Sequence, residues 1–217
     1  MDLFSYVVRY DIGFAPNPFH GWCSLGTCHE DFRGRVSVGD WVVGTGSAQK
    51  GLAGRLVYAM RVEEIVTFDQ YWHDERFTEK RPVRRGSMRQ RYGDNIYYRD
   101  ENGHWVQVDS RHSHDDGSPN VGHIMKDTSA DAVLLSRDYV YFGRAAPEIP
   151  ERFRSWPGPA WTGSRFDSTR DTNYDLCMRY SGFRRYFPED FKAEAVGWFR
   201  DLIDEDDGPY RGDPADW

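Results

Sequence analysis

Apolar and polar positions alternate along the first part of the chain in a way that predicts strands. Residues 4–11 (Phe-Ser-Tyr-Val-Val-Arg-Tyr-Asp) are aromatic and β-branched and predict the first one. Residues 12–20 carry Gly13, Pro16 and Pro18 and predict a loop, because each proline removes a backbone donor and pushes its predecessor out of helical geometry. Residues 23–33 are expected to form a short helix. Residues 38–43 read as an apolar strand, 44–51 as a Gly-rich loop and 54–66 as one long return strand, together a hairpin.

Farther on the period changes. Thr67 is an N-cap for a helix over 68–77, with Phe68, Tyr71 and Trp72 on one face. Residues 95–98 and 104–108 flank Asn102-Gly103, a strong turn pair, and predict a second hairpin. Residues 132–135 and 139–143 are two more strands, and 147–163 is a Pro-rich wrap or linker. The chain closes with an amphipathic helix from Pro188 to about Asp204, whose apolar stripe is Phe191, Ala195, Trp198, Phe199 and Leu202. Six or seven strands with few helices predict an α+β fold: a small mixed barrel or curled sheet carrying peripheral helices and this C-terminal helix. Helices do not alternate with strands in the first half, which argues against a doubly wound parallel sheet.

Composition adds that a core is attainable. Aromatics make up 16% of 217 residues, and Tyr and Trp bury large areas although they depress mean hydropathy to -0.77. Three cysteines, no signal-peptide pattern and no apolar run near 18 residues lead to the expectation of a soluble, cytoplasmic chain with reduced thiols and no membrane partner.

Net charge is -7, which excludes indiscriminate coating of nucleic acid. The charge is nonetheless uneven. Residues 76–91 hold seven basic groups against Glu79, and 201–217 hold seven acids against Arg211. Arg84, Arg85, Arg89 and Arg91 are therefore phosphate-binding candidates, with Arg165, Arg170, Arg179, Arg184 and Arg185 as possible additions. The acidic tail is too short and local to mimic a nucleic acid.

Chemistry concentrates between residues 93 and 128. His112 and His114, with Asp109, Asp115, Asp116 and Asp127, can serve as general acid and base or as a mixed His/Asp metal site suited to Zn, Mn or Fe(II). On a strand the two histidines would share a face. The plainer reading is a solvated turn, since Asp-Asp-Gly-Ser-Pro-Asn is turn chemistry by itself. Asn95 offers a donor and an acceptor to a base edge, and Tyr97 or Tyr98 a stacking surface; the plainer reading makes them turn and core. Cys23 and Cys28 follow His20, so either thiol could be activated by that imidazole, while buried inert thiols are the commoner outcome. Residues 44–50 lack the Gly-Lys-Ser/Thr ending of a phosphate loop, and no Gly-x-Ser-x-Gly elbow occurs.

The block Tyr6 to Cys28, the stretch Val-Gly-Asp-Trp-Val-Val-Gly-Thr-Gly at 38–46, Gly-Asp-Asn-Ile-Tyr at 93–97, His112-Ser113 and Asp127-Thr128 resemble the nucleotide-modification-associated domain family over roughly residues 1–150. The hairpin at 38–62 is also similar in style to PUA, ASCH and EVE domains, small barrels that hold a nucleobase. The resemblance implies a PUA-like β-rich domain over 1–146, with 147–217 wrapped on the same domain. It further implies a nucleobase- or nucleotide-processing protein linked to DNA base modification or phage defence, whose partner is a nucleic acid or nucleotide carrying a modified base. On that expectation Asp94, His112, His114 and Asp127 do the chemistry, and Asn17, Asn95, Tyr97 and Trp41 hold the base. The alternative is a non-catalytic reader using the same pocket. Neither the residues nor the resemblance assigns a cofactor or a metal.

Overall fold

A computed structural model describes residues 1–154, 175–177 and 182–217. Its strands are β1 (Leu3–Val8), β2 (Cys23–Leu25), β3 (Trp41–Gly46), β4 (Leu56–Arg61), β5 (Glu64–Val66), β6 (Tyr97–Arg99), β7 (Trp105–Gln107), β8 (Val133–Ser136), β9 (Tyr139–Tyr141) and β10 (Phe183–Arg184). The α-helices are α1 (Glu30–Arg33), α2 (Phe68–His73), α3 (Met88–Arg91), α4 (Val121–Asp127) and α5 (Glu189–Asp204). The chain divides into two compact units. The first comprises Met1–Tyr10, Gly39–Arg61 and Asp138–Asp216; the second comprises Asp11–Val38, Val62–Arg137 and Trp217.

The first unit holds a five-stranded sheet in the order β10-β1-β3-β4-β9. β1 and β3 run parallel, and every other neighbouring pair is antiparallel. Parallel neighbours need a long crossover, and residues 9–40 supply it. Leu3, Trp41, Val43, Leu56 and Ala59 face a core that α5 completes with Phe191, Ala195 and Phe199. Those helix positions are four apart and so share one face. Burying each phenylalanine contributes about 2 kcal/mol. Trp198 and Leu202 pack at the margin of the same core, as the stripe predicts.

The second unit holds the three-stranded antiparallel sheet β2-β8-β5 and the hairpin β6-β7. Helix α2 begins at the expected cap: Thr67 accepts from Gln70 N, and the Gln70 side chain accepts from Thr67 N. Phe14, Phe68, Tyr71, Phe77, Ile96, Tyr97, Val133 and Leu135 form its core.

The mixed α+β class and the C-terminal helix are as the sequence predicts, but the PUA-like barrel is not what forms. Among the described residues none of the sheets closes on itself. The reason lies at residues 62–63. The expected single strand 54–66 breaks there: β4 pairs with β3 and β9, whereas Glu63 N turns to Leu135 O and β5 joins β8 in another sheet. Residues 23–33 also differ from the single short helix expected, giving β2 first and the one-turn α1 after it. Much of the 147–163 wrap, with Arg165, Arg170 and Arg179, lies outside the described residues.

Candidate active site

One polar cluster in the second unit is built from three separate segments. Asp127 ends α4, whose first turn is capped by Asn120 accepting from His123 N at 3.2 Å. His112 comes from the loop after β7, and Cys28 from the turn between β2 and α1. The Nδ1–H of His112 donates to Asp127 Oδ2 at 2.6 Å, and His112 Nε2 lies 3.8 Å from Cys28 Sγ. Tyr97 OH donates to Asp127 Oδ2 at 2.7 Å, and Cys28 N donates to Asp127 Oδ1 at 3.1 Å. Gln107 Nε2 donates in turn to Tyr97 OH at 3.1 Å. Carboxylate, imidazole and thiol thus stand in line, the carboxylate orienting the ring whose other nitrogen faces the sulfur.

The backbone under the thiol is held in an unusual shape. Cys28 and His29 have φ of 57° and 52°, left-handed values that cost non-glycine residues energy and persist only where surroundings enforce them. Arg33, fully buried, does the enforcing. Its Nε donates to Cys28 O at 2.7 Å, Nη1 to Ala130 O and Ala132 O, and Nη2 to Asp127 O at 2.5 Å. One guanidinium therefore ties the cysteine turn to the end of α4, a job the planar fork of arginine suits.

The electrostatics follow from this packing. Burial by itself would lower the pKa of His112; the hydrogen bonds to Asp127 and then Cys28, with both groups' charges, outweigh it and raise it to about 9. Burial would likewise raise Asp127, but the bond and charge of His112, then Tyr97 and Cys28 N, hold it below the usual carboxylate range. At neutral pH the pair is imidazolium and carboxylate, and an imidazolium in this position can balance a thiolate. Cys23 differs: it is fully buried, and burial pushes its thiol up to about 12. His20 stands 3.7 Å from Glu79 and not against either thiol.

His123 packs its ring on His112 with centroids 4.1 Å apart. His112, His123 and Asp127 bring one ligand atom each within 4.8 Å of one another, the residue types for a transition metal. Both Asp127 oxygens already accept hydrogen bonds, so a cation would compete for that carboxylate with the His112, Tyr97 and Cys28 donors.

The remaining candidates fall elsewhere. Asp94 is fully buried, accepting from Ser24 Oγ at 2.7 Å and Tyr71 OH at 2.9 Å. Lys80 lies in the same buried network, donating to Asn17 O, Asn17 Oδ1, Trp22 O and Ser24 Oγ at 2.7–3.0 Å. Burial lowers its pKa to about 8, the Asp94 and Cys23 charges partly opposing. Gly93 allows this closeness, because a Cβ there would meet the Lys80 carbonyl. Asn17 is thereby committed internally. Asn95 gives its amide hydrogens to Tyr71 O and Phe77 O, so that edge serves the fold. Tyr97 is buried against Phe68 and reaches the cluster only through its hydroxyl. Trp41 sits in the core of the first unit beside Phe199.

His112 and His114 do not share a strand face. The segment is a turn, with His112 buried and His114 exposed. His114 lines a cleft of about 160 Å³ with Arg84, Arg91, Tyr92, Asp109, Ser110, Arg111, Ser113 and Asp115. Arg85 and Arg89 are exposed and lie outside its lining, Arg89 resting over Phe19. Arg184 donates to Asp175 O and Arg185 pairs with Asp2. Arg33, His123 and the pairing of Cys28 with His112 are parts of this cluster to which the sequence alone did not point. His123 and Asp127, four apart on a helix, had a local signal in the Asn120 cap.

A thiol aligned with an imidazole and a carboxylate is the arrangement of a cysteine nucleophile site. The chain itself belongs to the nucleotide modification associated domain 2 family, whose model matches residues 1–204 and so extends beyond residue 150 through α5. Membership associates it with nucleotide modification. No curated protein and no solved structure matches the chain. Among the described residues, no helix is long and apolar enough to cross a membrane.

Proposed function

We propose that this chain modifies a pyrimidine base, in a nucleotide or in DNA, through a transient thioether at Cys28. The observation that carries the reading is the His112 imidazole held between Asp127 Oδ2 and Cys28 Sγ. Family membership supports a nucleotide or nucleic-acid substrate, and the aligned thiol supports the reaction type. The Cys28 sulfur, its proton released to solvent and its charge balanced by the His112 imidazolium, adds to C6 of the ring. A C–S bond forms, and the C5–C6 π pair moves onto C5 and the conjugated heteroatom at position 4. The nucleophilic C5 then takes an electrophile, the simplest being a proton. Loss of the original C5 proton and expulsion of the thiolate restore the ring. No oxidant or reductant is consumed. A larger C5 substituent requires an electrophilic carbon donor as co-reactant.

Proton exchange tests this without that donor. In D₂O, wild-type protein is expected to exchange the C5 hydrogen of deoxycytidylate, deoxyuridylate or a pyrimidine oligonucleotide for deuterium, read by proton NMR. Cys28→Ser should abolish the exchange with the fold intact. Absence of exchange on all three with wild type, or its persistence in Cys28→Ser, rules the reaction out. A second reading, a reader that binds a modified base without chemistry, is favoured by the open polar cleft beside His114; tight binding of modified oligonucleotides without exchange selects it.

A further inference from the structure

We infer that the cleft between residues 84–92 and 109–115 is a subsite for the phosphate of a mononucleotide, with Arg91 and Arg111 as its anion-binding groups. This rests on the chain acting on a nucleotide, as proposed above, and assigns where that nucleotide is gripped. Three arginines, Arg84, Arg91 and Arg111, line one cleft of an otherwise acidic protein. They are not equivalent. Arg84 is engaged, forming an ion pair with Asp109 and donating to Asp115 O, so it holds the loop 109–115 against the segment 84–92. Arg91 and Arg111 have no carboxylate within ion-pair distance among the described residues, and both contribute to the lining. Guanidinium groups without an internal counter-charge are suited to a phosphate, which they meet with paired N–H donors.

The other lining groups define the rest of the ligand. Ser110 and Ser113 add short hydroxyl side chains, and Tyr92 adds a ring edge or face. Asp109 and Asp115 are acceptors that repel an anion but receive sugar hydroxyl or base amino groups. A ligand with one phosphate at one end and donors at the other meets both sets. A polynucleotide would carry further phosphates toward those carboxylates. At about 160 Å³ the cleft is smaller than the roughly 300–1,000 Å³ of a drug-sized pocket, which suits a subsite for one phosphate and its sugar.

Its position also connects it to the thiol cluster. Ser110, Arg111, Ser113 and His114 line the cleft, while His112 in the middle of the same loop turns inward to Asp127. One short loop therefore presents a binding surface on one side and the imidazole on the other. The basic run 76–91 is thereby subdivided: Arg84 and Arg91 belong to the cleft and Arg85 and Arg89 do not.

Calorimetric titration of the full chain tests the assignment. Deoxycytidine 5′-monophosphate or thymidine 5′-monophosphate should bind at least tenfold more tightly than the corresponding nucleoside. Arg91→Ala and Arg111→Ala should each weaken that binding about tenfold, Arg85→Ala should not, and circular dichroism should show all three folded. Equal affinity for nucleoside and nucleotide overturns the phosphate subsite. So does equal weakening by Arg85→Ala, which would reduce the effect to general surface charge. An octanucleotide binding more tightly than either mononucleotide overturns the choice of a single-phosphate ligand, and no binding of any of these overturns the whole inference. Cys28→Ser is expected to bind the mononucleotide as wild type does. Wild-type protein that binds the mononucleotide through Arg91 and Arg111 but shows no C5 exchange therefore sinks the thioether reading alone, and exchange without cleft-dependent binding sinks the subsite alone.

Discussion

His112 Nδ1 and Asp127 Oδ2 are 2.6 Å apart in a pocket where neither side chain is more than 11% exposed. A charge pair that close, shielded from solvent, fixes the ring and leaves Nε2 as the only nitrogen facing the thiol.

The first consequence is selective reactivity. Cys28 is half-buried, whereas Cys23 and Cys177 are buried with thiols raised mainly by loss of solvation. Iodoacetamide at neutral pH should give one adduct by intact mass, mapped by peptide analysis to Cys28 and missing in Cys28→Ser.

A second prediction concerns pH. The folded pKa of His112, about 9, lies above the ordinary 6.5. The folded state therefore holds a proton that the unfolded chain releases between these values. The resulting stabilisation is complete below pH 6.5 and is lost as pH rises through about 9. Urea midpoints should fall over that window, and His112→Gln should flatten the fall. His29 acts at the other end. Its folded pKa is lowered to about 4, chiefly by burial and then by Arg33, so its contribution is lost as pH drops from 6.5 toward 4.

Asp127→Asn removes the charge that keeps His112 protonated, while burial continues to favour the neutral ring. Proton NMR should show the His112 titration moving down from about 9 to below the ordinary histidine value. The variant should lose roughly 3 kcal/mol of stability, the scale for breaking a buried pair, and alkylation of Cys28 at pH 7 should slow.

Arg33→Lys keeps the charge but cannot reproduce the fork that reaches Cys28 O, Ala130 O, Ala132 O and Asp127 O. Stranding two or more buried carbonyls should cost about 3 kcal/mol. Alanine in place of the exposed Arg85 should change the urea midpoint by less than about 0.5 kcal/mol equivalent.

Lys80→Met probes the other buried network. Its ammonium serves four acceptors and lies near the Asp94 carboxylate. The substitution should cost about 3 kcal/mol, and adding Asp94→Asn should recover part of it, because the carboxylate would no longer be buried without a cation.

Local rules decided much of this molecule. The Thr67 cap started α2 where the sequence put it, the Asn102-Gly103 pair closed the β6-β7 hairpin, and the four-residue spacing of Phe191, Ala195 and Phe199 set the buried face of α5. Such features depend on neighbours within a few positions, so they can be read without a partner. His112 and Asp127 were likewise identifiable as residue types in a polar stretch. What the linear chain did not contain was their third member. Cys28 meets His112 across 84 positions; Asp127 joins them by accepting from Cys28 N and from His112, while the pairing of β2 with β8 and the grip of Arg33 tie the cysteine turn to the end of α4. Other long-range contacts withdrew Asp94 to Ser24 and Tyr71, Asn95 to Tyr71 O and Phe77 O, and Tyr97 to Asp127, and the pairing of β5 with β8 split residues 54–66 between two sheets. A side chain's type is local, but whether it ends in solvent, in core or beside a thiol is set by which distant strand its own strand finds.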